Sequence, residues 1–114
     1  MERVRRYRKI IQAVLEQYDR LLRQPPASGV DSHLIFDEHR DEYMLLKSGW
    51  SPEQRRVRGI VAHVRLKDGK VWVEEDWTEE GVATHLINAG IPKHDIVLAF
   101  QPPEMRPFGE FAVA

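Results

Sequence analysis

The sequence predicts an α+β fold: a long N-terminal helix and a short second helix packed on a mainly antiparallel sheet of four to five strands. Three observations carry that expectation. Apolar residues recur at helical spacing through residues 4–22, they alternate at period two on either side of an Asp-Gly turn through residues 56–77, and a second short helical stripe ends at Gly90 before a final apolar run. The order helix, strands, helix, strand argues for helices gathered on one face of the sheet.

In the first segment Val4, Tyr7, Ile11, Val14, Tyr18 and Leu21 recur at steps of three and four, and Ile10, Leu15 and Leu22 widen the stripe. This is an amphipathic helix of about six turns. Glu16 with Arg20 and Asp19 with Arg23 are i, i+4 pairs in the favourable order, expected on its outer side. Pro25 and Pro26 stop it, and residues 25–32 read as a loop.

His33–Asp37 and Tyr43–Trp50 read as strands joined across the polar turn Glu38–Glu42, although the run Tyr43–Leu46 alone also suits a helix. The next hairpin is better specified. From Arg56 to Leu66 the alternation puts Ile60, Ala62, Val64 and Leu66 on one face, and Val71–Trp77 returns after Lys67-Asp68-Gly69-Lys70. Asp-Gly at the centre favours a two-residue type I′ loop. That loop sets a register: Leu66 opposite Val71 and Val64 opposite Val73 on the core face, Arg65 opposite Trp72 and His63 opposite Glu74 on the other.

Thr78 is the expected N-cap of the second helix, with Glu79 and Glu80 at its positive end and Val82, Ala83, Leu86 and Ile87 as its buried stripe. Gly90 stands where a left-handed residue ends a helix, and Pro92 forbids continuation. Ile96–Phe100 reads as a buried strand closed by Pro102-Pro103. Glu104–Ala114 follows as a tail that covers either its own domain or a neighbour, and no local rule requires its closing Phe-Ala-Val-Ala.

Bulk properties narrow the class. A chain of 114 residues is expected to form one domain over 1–114. Without cysteine there is no disulfide framework or thiolate metal site, and a reducing compartment fits. Residues 1–24 resemble neither a signal peptide nor a membrane span, so the expected location is the cytoplasm. The net charge of −1 conceals an asymmetry: residues 1–24 carry seven Lys/Arg against three Asp/Glu, or +4, leaving −5 for the rest.

The basic cluster Arg3, Arg5, Arg6, Arg8 and Lys9 sits at a helix start, where the dipole disfavours cations. It could meet DNA phosphates or an acidic partner, against the blander reading of a solvated end partly balanced by Glu2. Glu74, Glu75, Asp76, Glu79 and Glu80 crowd seven positions but lack the interspersed glycine and carbonyl donors of a cation loop. Docking onto the basic helix end, within or between molecules, is the preferred reading of these acids.

The histidines follow no metal-ligand spacing: His63 is matched by its cross-strand neighbour, His39 lies in a turn, and His85 and His94 lie on a helix and its following loop. Asp68-Gly69-Lys70 has nuclease-like acid-x-Lys spacing but falls at a hairpin tip. Ser28, Ser32, Ser48 and Ser51 read as loop or turn residues rather than recombinase nucleophiles. Trp50, Trp72 and Trp77 are expected chiefly as core or cross-strand packing rather than base-stacking platforms. Helix-turn-helix and zinc-finger motifs are absent.

Several stretches together carry a family likeness: Leu34-Ile-Phe-Asp, Tyr43–Trp50, Asp68–Trp72, Thr78-Glu-Glu-Gly-Val-Ala, Gly90–Phe100, Pro102-Pro103 with Arg106, and Phe111-Ala-Val-Ala. In this order they make a chain that resembles the XisI-type fdxN-element excision controlling factors of heterocyst-forming cyanobacteria. Gln101 stands where that family often has His, and Gly109 where it often has Thr. The resemblance implies a non-enzymatic regulatory accessory for programmed excision of a DNA element interrupting a nitrogen-fixation operon. It implies an XisH-type companion factor and a large site-specific recombinase as partners and supplies no catalytic residues; no metal or cofactor is expected from the residues themselves. Phe108, Phe111 and Val113 are expected to carry packing or partner contact on the tail, with Arg106 as a polar anchor among these partner-binding residues. The alternative is a DNA-binding accessory that touches phosphates through its basic helix; an enzyme is the least favoured reading. No membrane association is expected, and the apolar helix stripe and tail leave room for a homodimer.

Overall fold

The computed structural model describes residues 2–23 and 29–114; the Pro25-Pro26 helix stop and the loop residues through Ser28 lie outside the described residues. The first helix, α1, runs Glu2–Leu22 and buries Tyr7, Ile11, Val14 and Leu15. At its last turn the stripe departs from expectation: Leu21 and Leu22 are exposed while Asp19 is buried. Asp19 faces the sheet because its carboxylate accepts from the Ser32 hydroxyl as well as from Arg23 Nε at 3.1 Å. The Asp19–Arg23 pair therefore belongs to the inner side of the helix.

Four antiparallel strands follow, β1 (Val30–Asp37), β2 (Glu42–Trp50), β3 (Arg56–Lys67) and β4 (Lys70–Asp76). After the second helix, α2 (Val82–Asn88), the short strand β5 (Ile96–Leu98) joins parallel to β4, giving sheet order β1-β2-β3-β4-β5. The strand ends at Leu98 rather than Phe100: Ala99 N still donates to Val73 O at 2.8 Å, and Gln101 N then turns back to the Leu98 carbonyl at 3.1 Å. The helices share one face: α1 residues Tyr7, Ile11 and Leu15 and α2 residues Val82 and Leu86 belong to one buried cluster with Tyr43, Leu45, Val64 and Val73 of the sheet.

Asp68 (φ 54°) and Gly69 (φ 76°) both adopt the left-handed conformation that a type I′ loop requires. Three of the four expected β3–β4 pairs form, namely Leu66–Val71, Val64–Val73 and Arg65–Trp72. The fourth does not: a bulge between His63 and Val64 leaves Glu74 as the extra residue and sets His63 opposite Glu75. A second bulge at Leu45/Leu46 sets Leu46 opposite Ile60, so Val61 is buried and Ile60 leaves the face of Ala62, Val64 and Leu66. Both bulges bend and twist their strands, an outcome of strand pairing that period-two alternation does not encode.

Thr78 is not the N-cap of α2; Gly81 occupies that position and supplies no side chain. Asp76 does the work from the end of β4. One carboxylate oxygen accepts from Val82 N (2.7 Å), and the other accepts from the Thr78 amide (3.0 Å) and hydroxyl (2.6 Å). Thr78 Oγ1 then accepts from Gly81 N at 3.1 Å. The C-terminal end matches expectation, with Ile91 N bonded to Leu86 O and Gly90 N to Ile87 O, each at 3.0 Å, around Gly90 at φ 113°.

Candidate functional site

The start of α1 lies against three other segments and is bonded to one of them. Tyr7 is buried and its hydroxyl donates to buried Asp95, just before β5. Burial and that hydrogen bond push the Tyr7 phenol above its ordinary range. Arg3 reaches the β3–β4 hairpin tip, where a Cβ on Gly69 would lie 2.7 Å from its Nη2, and Arg6 reaches the end of α2 near Gly90.

Of the five cations in this cluster, Arg8 is diverted inward. Its Nε and Nη2 donate to the two oxygens of Asp41 at 2.8 and 3.1 Å, and Tyr43 donates to the same carboxylate at 2.6 Å. Burial pushes the Asp41 carboxyl up, but the hydrogen bonds from Arg8 and Tyr43 outweigh it and hold the group below the usual carboxylate range. The Tyr43 phenol, buried against this carboxylate, is pushed up. Arg3, Arg5, Arg6 and Lys9 stay exposed, with Arg5 3.8 Å from Glu2.

The acidic stretch does not meet these cations. Glu79 and Glu80 border a groove of about 400 Å³ formed with Tyr18, Leu21, Leu22 and Trp77, at the opposite end of α1, so they do not dock onto the basic end of their own molecule. At 1.5 Å per residue the separation along the helix is roughly 20 Å. The five acids are also dispersed in role. Glu74 lies 3.6 Å from Arg65, Glu75 accepts from Trp77 Nε1, Asp76 caps α2 and Glu80 lies 3.4 Å from His85 Nε2 without a hydrogen bond to it. Among the described residues no three His, Asp or Glu side chains converge so as to hold a metal ion.

His63 bonds Glu42 at 2.8 Å rather than Glu74, because the bulge moves Glu74 out of register. His33 bonds Ser48, His85 packs edge-on against Tyr18, and His94 is exposed. Among the indoles, Trp72 lies between Lys67 and Arg106, 5.0 and 5.8 Å from its ring, and Trp50 meets its cross-strand partner Arg56 at 5.4 Å. Trp77 departs from the packing expectation: it is 75% exposed.

The tail folds back on its own sheet. A 3₁₀ segment, Pro103–Phe108, leads to Ala112, which forms a parallel bridge to Val97 and donates to Ile96 O at 2.8 Å. Arg106 fastens it by donating to the carbonyls of Gln101 (3.1 Å), Val113 (3.2 Å) and Ala99 (3.3 Å). Phe111 is partly buried against the core. Phe108, in contrast, is 83% exposed, and Phe100, Met105 and Val113 are exposed as well. Leu98, Gln101, Arg106, Phe108 and Phe111 line an adjoining hollow of about 320 Å³. The four tail residues singled out in the sequence thus divide: Arg106 and Phe111 build the platform, and Phe108 and Val113 are displayed on it. Among the anchoring carboxylates Asp41 and Asp95 carry no distinguishing sequence signal, and Asp19 carries only its i, i+4 spacing to Arg23.

No helix of the described residues is long and apolar enough to cross a membrane. The model of the XisI protein family matches residues 1–113. The crystal structure of the fdxN element excision controlling factor XisI from Anabaena variabilis ATCC 29413 is 38% identical, with 98% of this chain and 99% of that chain covered at a TM-score of 0.83. A XisI-like protein from the same organism is 30% identical, with 97% and 99% covered at a TM-score of 0.87. Among curated proteins none matches.

Proposed function

The chain belongs to the XisI family, and from that premise we propose that it is a non-enzymatic cytoplasmic accessory controlling excision of a DNA element through protein contacts. Its partners on this reading are an XisH-type companion factor and a site-specific recombinase. The observation that carries the reading is the fastened tail: Arg106 holds three carbonyls in place, yet Phe108 beside it projects into solvent. A rigid platform displaying an aromatic side chain loses little entropy on binding, which is how interface anchors act. The structural duties of Asp41, Asp76 and Asp95 also speak for a non-catalytic protein.

The direct test is Phe108→Ala. Phe108 supports little of the fold, so stability should change by no more than about 0.5 kcal/mol. Affinity for the purified XisH-type companion, measured by calorimetry, should fall by about tenfold or more. Unchanged affinity would sink the assignment. Deleting Glu104–Ala114 is the poorer test, because it also removes the Ala112 bridge and Phe111.

A second reading, DNA contact through the start of α1, draws on the four exposed cations Arg3, Arg5, Arg6 and Lys9. Its signature is salt dependence. Replacing Arg5 and Arg6 with Ala together should flatten the slope of log K against log salt concentration by about two units, roughly one for each phosphate that is no longer neutralised. Failure of the unaltered protein to bind element-end DNA even at low salt would count decisively against it.

A further inference from the structure

We propose that a second copy of this chain pairs antiparallel along the outer edge of β1, joining two sheets into one of ten strands about a twofold axis at Ile35. The sheet has two edges, and the tail treats them differently: Ala112 bridges Val97 on the β5 side, while β1, eight residues long, ends the other side. The orientation of the β1 backbone follows from two bonds. Gly29 O accepts from Trp50 N of β2, whereas Ser32 O points away and accepts from Arg23 Nη2 at 3.3 Å. Because backbone groups alternate sides along a strand, His33, Ile35 and Asp37 bond to β2, and Leu34 and Phe36 turn N–H and C=O outward. Those four outward groups bond to no described residue.

β1 has neither lysine nor proline between Val30 and Asp37; its charges are Asp31 and Asp37 near its two ends, and Arg23 covers the Ser32 carbonyl, which leaves Leu34–Phe36 as the open stretch. Its own sequence selects the partner and the register. With the axis at Ile35, Leu34 and Phe36 form hydrogen-bonded pairs with the partner's Phe36 and Leu34, and Ile35, itself 46% exposed, meets the partner's Ile35. His33 then faces the partner's Asp37, a polar pair repeated by symmetry. Moving the axis to Leu34 would instead set Asp31 against the partner's Asp37, and like charges directly opposite are unfavourable.

The absence of cysteine makes the register directly testable. Ile35 would lie in a non-hydrogen-bonded pair across the axis, with Cα atoms about 4.5 Å apart, inside the range of about 4.4–6.8 Å that a disulfide spans. Ile35→Cys should therefore give a reducible dimer under mild oxidation. His33→Cys should not, because the two copies of residue 33 would be roughly 13 Å apart, four residues at about 3.3 Å each. Sedimentation of the unaltered protein should show a dimer that Ile35→Lys converts to a monomer with an unchanged circular dichroism spectrum. A monomer at the highest soluble concentration, equal cross-linking of the two cysteine variants, or β1 pairing only with a different protein would overturn the proposal.

Discussion

Replacing Tyr7 with alanine is expected to leave the protein largely unfolded at room temperature. Tyr7 is 1% exposed, and its hydroxyl is bonded to Asp95, which is itself buried. Emptying a buried aromatic site costs about 3–5 kcal/mol. Leaving Asp95 buried without its donor adds about 1–3 kcal/mol. Together these approach the roughly 5–15 kcal/mol by which domains of this size are stable. Tyr7→Phe keeps the ring and isolates the hydroxyl, so it should lose only the second contribution. Urea titrations followed by circular dichroism would measure both; a Tyr7→Ala loss below about 2 kcal/mol would mean that the site collapses around the deletion. The position matters beyond stability because Tyr7 holds the basic start of α1 against the segment leading into β5.

The parts of this structure that were legible in the sequence are those set by neighbours in the chain. The Asp68-Gly69 loop, the α1 stripe from Val4 to Tyr18 and the Gly90 helix stop each depend on a few adjacent residues. What escaped depends on residues far apart. The bulges at Leu45/Leu46 and His63/Val64 arise when strands pair, and they moved Ile60 and His63 from their expected places. Asp76 caps α2 from six residues before Val82, beyond the reach of the usual capping pattern. For the tail, sequence set Arg106 apart as a polar anchor but could not say which of Phe108, Phe111 and Val113 packs and which is displayed. Arg106 bonds carbonyls on both sides of itself in sequence, and only the folded path shows which aromatic side chain remains exposed. In the basic cluster, likewise, Arg8 is removed by a carboxylate 33 positions away.

That carboxylate gives the second large effect, a loss of about 1.5–3 kcal/mol for Asp41→Asn, in line with hydrogen bonds to a charged group. Asparagine suits the turn because Asp41 has φ 53°, a conformation that Asn tolerates well, so the backbone survives while the charge and one of the two acceptor oxygens are lost. Arg8 and Asp41 are each less than one-third exposed, so solvent screens their interaction only in part. The sign of the pH dependence follows from the lowered Asp41 carboxyl. Its contribution is present above the unfolded value, about 3.9, and is lost as pH falls through the lower folded value. The stability gap between the unaltered protein and Asp41→Asn should therefore be widest at neutral pH and close on acidification below about pH 4. Asp37, also lowered, through the Arg40 backbone first and its side chain second, is present in both proteins and cancels. Urea midpoints from neutral to acid pH would record the closing gap, and a constant gap would rule out the charge as the cause. The same substitution releases Arg8, so under the DNA-contact reading it should steepen the salt dependence that loss of Arg5 and Arg6 flattens. Opposite shifts from the two sets of substitutions would tie phosphate contact to the start of α1, and the absence of both would leave protein contact through the tail as the surviving mechanism.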